Sequence, residues 1–137
     1  MQGIENFKKI VKEHSSITVF AIGSLGYCAI ELLWRGHTHW SMALAGGICF
    51  SLITAIQKHF PNMRFLYKCI MGSICITVVE FVFGLIFNIL LNKNVWDYSN
   101  VKFNILGQVC LLYTVLWGFI TALALPLSKK LISALQK

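Results

Sequence analysis

The sequence predicts an all-α polytopic membrane protein in which four transmembrane helices form a single domain over residues 1–137. Hydrophobic residues make up 57% of the chain, whereas soluble domains contain about 45–50%. Charged residues make up only 12%, and the mean hydropathy is +0.70. A soluble domain of this size cannot bury so much apolar surface. Soluble globular enzymes and disordered chains are therefore excluded.

Four apolar runs support this fold, because a helix that crosses the bilayer needs about 20 mostly apolar residues. We place the spans at residues 17–34, 40–56, 65–91 and 105–127. Pro61 separates the second span from the third. Pro126 is predicted to end the fourth span, and we expect a short interfacial helix after it.

Residues 1–14, before the first span, have the pattern of an amphipathic helix at the inner membrane surface. Its apolar side has helical spacing and consists of Ile4, Phe7, Ile10 and Val11. Lysines before an apolar run are also typical of a secretory signal peptide, but no small-residue cleavage pattern follows this run. We therefore expect the first span to be retained as a transmembrane helix.

The distribution of lysine and arginine predicts the orientation of the spans. Nine of these residues fall in segments on one side of the membrane: Lys8, Lys9, Lys12, Lys58, Arg64, Lys68, Lys129, Lys130 and Lys137. Three fall on the other side: Arg35, Lys93 and Lys102. Basic loops face the cytoplasm, so both termini are predicted to be cytoplasmic. The same distribution explains the net charge of +7 without a nucleic-acid partner.

The sequence has no recognisable catalytic, metal or redox motif. None of its five cysteines belongs to a CxxC pair, and His37 with His39 is a weak metal signal without a further ligand nearby. The HExxH and GxSxG motifs and the GxxxxGK[ST] phosphate loop are also missing. We expect neither an enzyme nor a bound cofactor, and no ATP hydrolysis by this chain alone.

Two carboxylates fall inside predicted spans, where a charge costs about 2.5–3.5 kcal/mol at the membrane centre. Glu80 lies near mid-membrane in the third span, and Gly84 and Asn88 follow it at i+4 and i+8. These three residues form one stripe, which predicts either a hydrophilic track or a helix–helix interface. Glu31 lies near the outer end of the first span, four residues before Arg35, so the two side chains are expected to pair.

The second outer loop, residues 92–104, combines turn formers with aromatic residues, and we expect it to fold back over the mouth of the bundle. Asp97 is predicted to cap a turn or to pair with Arg35. Gln108 is predicted to follow Asn104 by one turn on the same face of the fourth helix. An aromatic belt near the outer face is expected from Trp34, Trp40 and Trp96.

Together these features predict a polar, outward-facing cavity in the outer half of the bundle, with Glu80 at its bottom. The residues expected to bind an ion or ligand there are Glu80, Glu31, Asn88, Asp97, Asn104, Gln108, Arg35, Trp96 and Tyr98. Glu31 and Glu80 are each followed by a glycine, Gly36 and Gly84, which leaves a two-helix internal repeat open.

Several motifs between Ile22 and Pro126 are those of a known family. They are Gly26-Tyr27-x-x-x-Glu31, Trp40-Ser41-Met42 with Gly46-Gly47, Glu80-x-x-x-Gly84-x-x-x-Asn88, Trp96-Asp97-Tyr98-Ser99, Phe103-Asn104-x-x-Gly107-x-x-Cys110-Leu111 and Trp117-Gly118. In these motifs the chain resembles the ABC-transporter permease family of small four-helix bacterial membrane proteins, from which it departs at Lys102 and Gln108. The resemblance implies a transport component of the bacterial cytoplasmic membrane. It also implies partner chains, an ATPase or another membrane subunit.

We therefore expect a small transport protein, a channel or carrier linked to a cation or a proton, that works as a homo-oligomer among membrane lipids. Four short helices enclose little volume, so a pathway forms more easily between subunits. The alternative is a non-transporting binding or accessory subunit of a larger complex, whose cavity holds a lipid or small ligand. In that case Glu80 has a structural role.

Overall fold

A computed structural model describes residues 2–13 and 15–136 of the chain. It is 77% helical, and four of its helices are long and apolar enough to cross a membrane, which confirms the predicted all-α polytopic fold. The helices are α1 (Gln2–Glu13), α2 (Ser15–Arg35), α3 (Trp40–His59), α4 (Phe65–Phe83) and α5 (Leu111–Gln136). A π-helical segment, Gly84–Leu90, continues α4, and the short strands β1 (Asn104–Ile105) and β2 (Val109–Cys110) pair antiparallel before α5.

The predicted amphipathic segment contains helix α1, whose described side chains, such as Ile4, Glu5 and Lys9, are exposed. The side chains of Phe7, Ile10 and Val11, on which the predicted apolar side depends, lie outside the described residues, as do those of Lys8 and Lys12 and the whole of Met1, His14 and Lys137. The inner-surface location of α1 and the orientation of the termini stay predictions.

Helix α3 is the central helix of the bundle, since it packs against α2, α4 and α5. Its contact with α2 is close because glycines face each other there. A Cβ atom on Gly46 would overlap the Tyr27 side chain and the Gly23 carbonyl. Ser24 Oγ also donates to the Ala43 carbonyl at 2.7 Å. Small residues and a serine hydroxyl at a helix contact are the usual means of packing spans in lipid.

Helices α4 and α5 form the second close pair. The hydroxyl of Ser73 donates to the Thr114 carbonyl, and Thr77 Oγ1 donates to Thr114 Oγ1 at 3.1 Å. Gly72 lies against Thr121, which is fully buried. Helix α2 and helix α5 both pack on α3, and an open cleft lies between them.

The predicted start of the fourth span at residue 105 is wrong, because the helix begins at Leu111. Residues 104–110 form a short hairpin in which Leu106 and Gly107 have positive φ values of 55° and 72°. Asn104 Oδ1 accepts the Gly107 N–H at 3.0 Å and stabilises the turn. Apolar residues of the hairpin made it resemble the first turns of a span.

The predicted end of this span at Pro126 is also wrong, since Pro126 lies inside α5 and the helix continues to Gln136. No separate interfacial helix follows it within the described residues. Proline is tolerated inside membrane helices, where neighbouring groups can satisfy the backbone carbonyl that loses its donor.

Candidate functional site

The loop after the third span folds back onto the bundle, as predicted. Val95 and Trp96 are buried and form one apolar cluster with Met42, Ala45 and Phe87. The predicted aromatic belt therefore needs correction: Trp34 and Trp40 are exposed, whereas Trp96 is inside the protein. The buried indole N–H of Trp96 is hydrogen-bonded, since Nε1 donates to the Gln108 carbonyl at 2.8 Å.

Asn88 and Gln108 fix this loop with their carboxamides. Asn88 Nδ2 donates to Gln108 Oε1 at 2.8 Å, and Asn88 Oδ1 accepts the Val95 N–H at 2.7 Å. Gln108 Nε2 donates in turn to the Leu106 carbonyl at 2.9 Å. Both side chains are buried, and Gly84 lies against Gln108 because a Cβ there would overlap it. Asn88 and Gln108 thus anchor the loop. Their predicted role in ligand binding stays a prediction.

The predicted stripe of Glu80, Gly84 and Asn88 faces one neighbouring segment, the hairpin and the first turns of α5. Glu80 Oε2 accepts from Trp117, whereas Gly84 and Asn88 lie against Gln108. Gln108 also does not follow Asn104 on a helical face, since both belong to the hairpin region before α5. The prediction of a shared helical face for these two residues was wrong.

Asp97 and Asn104 organise the tip of the loop. Asp97 Oδ1 accepts the Ser99 N–H at 2.9 Å, which is the predicted turn cap and not the alternative ion pair with Arg35. This backbone hydrogen bond lowers the pKa of the exposed Asp97 carboxyl below its ordinary value. Asn104 Nδ2 donates to the Val101 carbonyl at 2.7 Å, so its side chain holds the loop and is not free to bind a ligand.

The predicted pair of Glu31 and Arg35 is present. Glu31 Oε2 lies 3.3 Å from Arg35 Nη1, and Glu31 is only 7% exposed. The contact is an ion pair without hydrogen-bond geometry, since Glu31 Oε2 has no hydrogen-bond partner among the described residues. Arg35 Nη2 also donates to the Val95 carbonyl. The guanidinium therefore joins the end of α2 to the outer loop.

Glu80 is the second carboxylate inside the bundle. Its Oε2 accepts the Trp117 indole N–H at 3.1 Å, across the contact between α4 and α5. Within the described part of the chain, no lysine, arginine or histidine lies within ion-pair distance of it. Arg35 is the cation nearest in the fold to this region, and it is already paired with Glu31.

Glu80 and Glu31 line one small cavity together with Tyr27, Arg35, Trp96, Tyr98 and Trp117. The cavity is small, about 20 Å³, which is room for about one water molecule. Trp96 and Tyr98 contribute to its wall from the loop. This space is too small for a polar organic ligand. Binding of an ion there stays a prediction.

A larger space, which the sequence did not predict, lies between α2 and α5. Its upper part, next to the outer loop, has a volume of about 550 Å³, and its lower part has about 210 Å³. The two parts adjoin, since they share the lining residues Tyr27, Ile30, Trp117 and Ile120. The only sequence signal was the run Tyr113, Trp117, Ile120, whose helical spacing is equally typical of core packing.

His39, which the sequence offered as a weak candidate metal ligand, has a structural role. It caps α3, since its Nδ1 accepts the Ser41 N–H at 3.2 Å and lies 2.7 Å from Ser41 Oγ. Among the residues that the structure describes, no three histidine, cysteine or acidic side chains are grouped as metal ligands would be.

Comparison with known proteins agrees with the resemblance seen in the motifs. A family model described as "Putative ABC-transporter type IV" matches residues 17–137, which is nearly the whole chain. No curated protein and no solved structure matches it. With four spans and this family match, the chain is a multi-pass membrane protein and belongs to the family described as "Putative ABC-transporter type IV".

Proposed function

We propose that the protein is a transport subunit that takes up a proton or a small cation at Glu80, and that it has no catalytic activity of its own. The family supports a role in ABC-type membrane transport. The observation that carries the finer proposal is the Glu80 carboxylate, which has a hydrogen bond from Trp117 but no cationic partner among the described residues.

Glu80 is half-buried within the third predicted span. A carboxylate at membrane depth is unstable as a bare anion, so it holds a proton or a cation unless a counter-charge is built in. Arg35 could neutralise only one of the two carboxylates in the cavity, and it lies on Glu31. The remaining negative charge belongs to Glu80. The adjoining space for about one water molecule suits a proton or a small, partly hydrated cation.

The internal cavity is too small to be a pathway through one chain. We therefore propose that the pathway forms between copies of the chain, or between the chain and an ATPase or another membrane subunit. The family supports association with such partners. A bacterial cytoplasmic membrane with both termini in the cytoplasm is part of the same proposal.

Ion flux in proteoliposomes tests this function. The parent, Glu80→Gln and the exposed-surface control Glu5→Gln are reconstituted, and proton and cation uptake is followed with ion-sensitive dyes. Glu80→Gln is expected to abolish flux while it folds normally, because the amide keeps the size and the Trp117 hydrogen bond but has no negative charge to hold a cation and cannot take up a proton. Flux that is equal in the Glu80→Gln variant and the parent would contradict the proposal.

A second candidate is a non-transporting binding or accessory subunit, which the cleft between α2 and α5 favours. The cleft is much larger than the internal cavity and has the size of small-molecule sites, roughly 300–1,000 Å³. Under this candidate, Glu80→Gln lowers stability or assembly, and no ion moves in the parent. Flux in the parent therefore separates the two candidates.

A further inference from the structure

Aromatic rings dominate the upper part of the cleft between α2 and α5. Half of its fourteen lining residues are aromatic: Tyr27, Trp34, Trp96, Tyr98, Tyr113, Trp117 and Phe119. They come from α2, the outer loop and α5, so three separate elements direct rings to one space. Tyr98 and Tyr113 are stacked, with centroids 4.7 Å apart and planes at 11°. Faces of tyrosine and tryptophan attract organic cations through the ring quadrupole.

The charged residues that line this end of the cleft have a net negative charge. Asp97 and Glu31 line it together with one cation, Arg35. Arg35 is engaged by Glu31 and by the Val95 carbonyl. The carboxylate left over is that of Asp97, which is exposed and caps the turn at Ser99. An exposed aspartate is ionised at neutral pH, and the hydrogen bond from Ser99 lowers the pKa of Asp97 further.

The lower part of the cleft is apolar. Most of its lining residues are aliphatic residues and glycines of α2, α3, α4 and α5, and Leu123 and Leu127 among them are strongly exposed. Gly26 widens this part, because nothing lies within 4 Å of the position that a Cβ would take there. The cleft thus has an aromatic and acidic end next to the outer loop and an apolar end toward the middle of the spans.

We propose that this cleft binds a lipophilic organic cation, with an ammonium group at the end formed by the aromatic residues and Asp97 and an apolar body along Leu123. The inference deepens the second candidate above by naming its ligand class, and it does not require the protein to transport anything. The upper part alone has the volume of a compact small-molecule site, roughly 300–1,000 Å³. An anionic ligand would meet unneutralised Asp97.

Equilibrium dialysis with the full chain in lipid nanodiscs tests the proposal, with empty discs subtracted. The probe is dodecyltrimethylammonium, and dodecyl sulfate is the probe of equal chain length and opposite charge. We expect saturable binding of the ammonium probe only. The Asp97→Asn variant is expected to weaken it about fivefold, the effect of one partly solvated charge. Glu5→Gln, which removes a carboxylate from exposed α1, leaves it unchanged.

A matched pair of variants tests the location. Leu123→Trp fills the lower cleft, whereas Leu25→Trp adds the same ring at an equally exposed position of α2 that lines neither part of the cleft. Only Leu123→Trp is expected to reduce binding, by about tenfold or more. Leu123 is 75% exposed and Leu25 is 73% exposed, so both variants are expected to fold.

Three results would overturn the inference: no saturable binding above empty discs, equal binding of dodecyl sulfate, or equal effects of the two tryptophan variants. A fourth is loss of probe binding when an ethanolamine lipid is added to the discs, which would assign the cleft to a bilayer lipid. The measurement uses no ion gradient, so its failure is distinguishable from a failure of the flux experiment.

Discussion

Arg35 is the residue that connects most of the outer end of the molecule. Its guanidinium pairs with buried Glu31 and donates to the Val95 carbonyl, so it links α2 to the loop. Removing it leaves a 93%-buried carboxylate without a counter-ion, given that Glu31 is 7% exposed. Removing one member of a fully buried pair costs roughly 3–5 kcal/mol. The side chain of Arg35 is 27% exposed, which weakens the effect.

We therefore predict that Arg35→Gln lowers the free energy of unfolding by about 2 kcal/mol. The measurement is denaturant unfolding in detergent micelles, with Lys93→Gln as a control for loss of an exposed charge. The double variant Glu31→Gln with Arg35→Gln is expected to recover part of the loss, because no unpaired carboxylate remains. A double variant that is less stable than Arg35→Gln would contradict this explanation.

Asn88 and Gln108 depend on each other in the same region. If either residue is replaced by an apolar one, the buried amide of the remaining residue loses its hydrogen-bond partner. Such a loss costs about 1–3 kcal/mol. We predict that Asn88→Leu and Gln108→Leu each destabilise the protein, and that the double variant loses clearly less than the sum. Hydrogen exchange at Val95 N–H, which donates to Asn88, is expected to accelerate in Asn88→Leu. Additive losses would mean that the two residues act separately.

The contact of α4 with α5 depends on the place of its small residues. A Cβ on Gly72 would overlap the Thr121 side chain, whereas a Cβ on Gly118 would have ordinary contact with Ser73 at 3.8 Å. Alanine favours a helix over glycine by up to about 1 kcal/mol. The same substitution is therefore expected to have opposite effects at the two positions.

We predict that Gly72→Ala destabilises the protein by about 1–3 kcal/mol through overpacking, and that Gly118→Ala is neutral or stabilising. Thermal unfolding of the two variants beside the parent measures the difference. Gly72→Ala combined with Thr121→Ser, which removes the overlapping methyl group, is expected to regain stability. Equal stability of the two alanine variants would contradict the close contact at Gly72.

The elements that could be predicted from sequence were those that depend on local pattern. Hydropathy was sufficient for the four helices, and i, i+4 spacing was sufficient for the pair of Glu31 and Arg35. The hairpin before α5 could not be predicted, because its apolar residues resemble a span. Its turn depends on left-handed backbone at Leu106 and on the side chain of Asn104.

The candidate site was predictable only in part for a different reason. Glu80 stood out as an intramembrane carboxylate, but its partner Trp117 is brought to it by the packing of α4 on α5. The cleft exists because α2 and α5 do not pack against each other along its length. The sequence of one helix does not show which other helices it fails to contact. Its aromatic residues lie on α2, the loop and α5, far apart in sequence.

At the scale of the whole molecule, the distribution of basic residues predicts how the chain is oriented in the membrane. Nine basic residues lie in segments predicted to be cytoplasmic and three on the other side. Lys68, at the start of α4, is buried and donates to the Pro61 carbonyl at 3.2 Å and to Gln57 Oε1 at 3.0 Å. This cation holds the short loop between α3 and α4, so the loop that is predicted to be cytoplasmic is also compact.

We predict that a C-terminal fluorescent-protein fusion is fluorescent and that a C-terminal alkaline-phosphatase fusion is inactive, because the basic loops keep both termini in the cytoplasm. A second readout is a single introduced cysteine in a background without the five native ones. Ser99→Cys, on the exposed outer loop, is expected to react with an impermeant maleimide in intact cells, and Asn62→Cys, on the inner loop, only after lysis. The reverse labelling pattern would invert the topology and would put Asp97 and the aromatic end of the cleft on the cytoplasmic side.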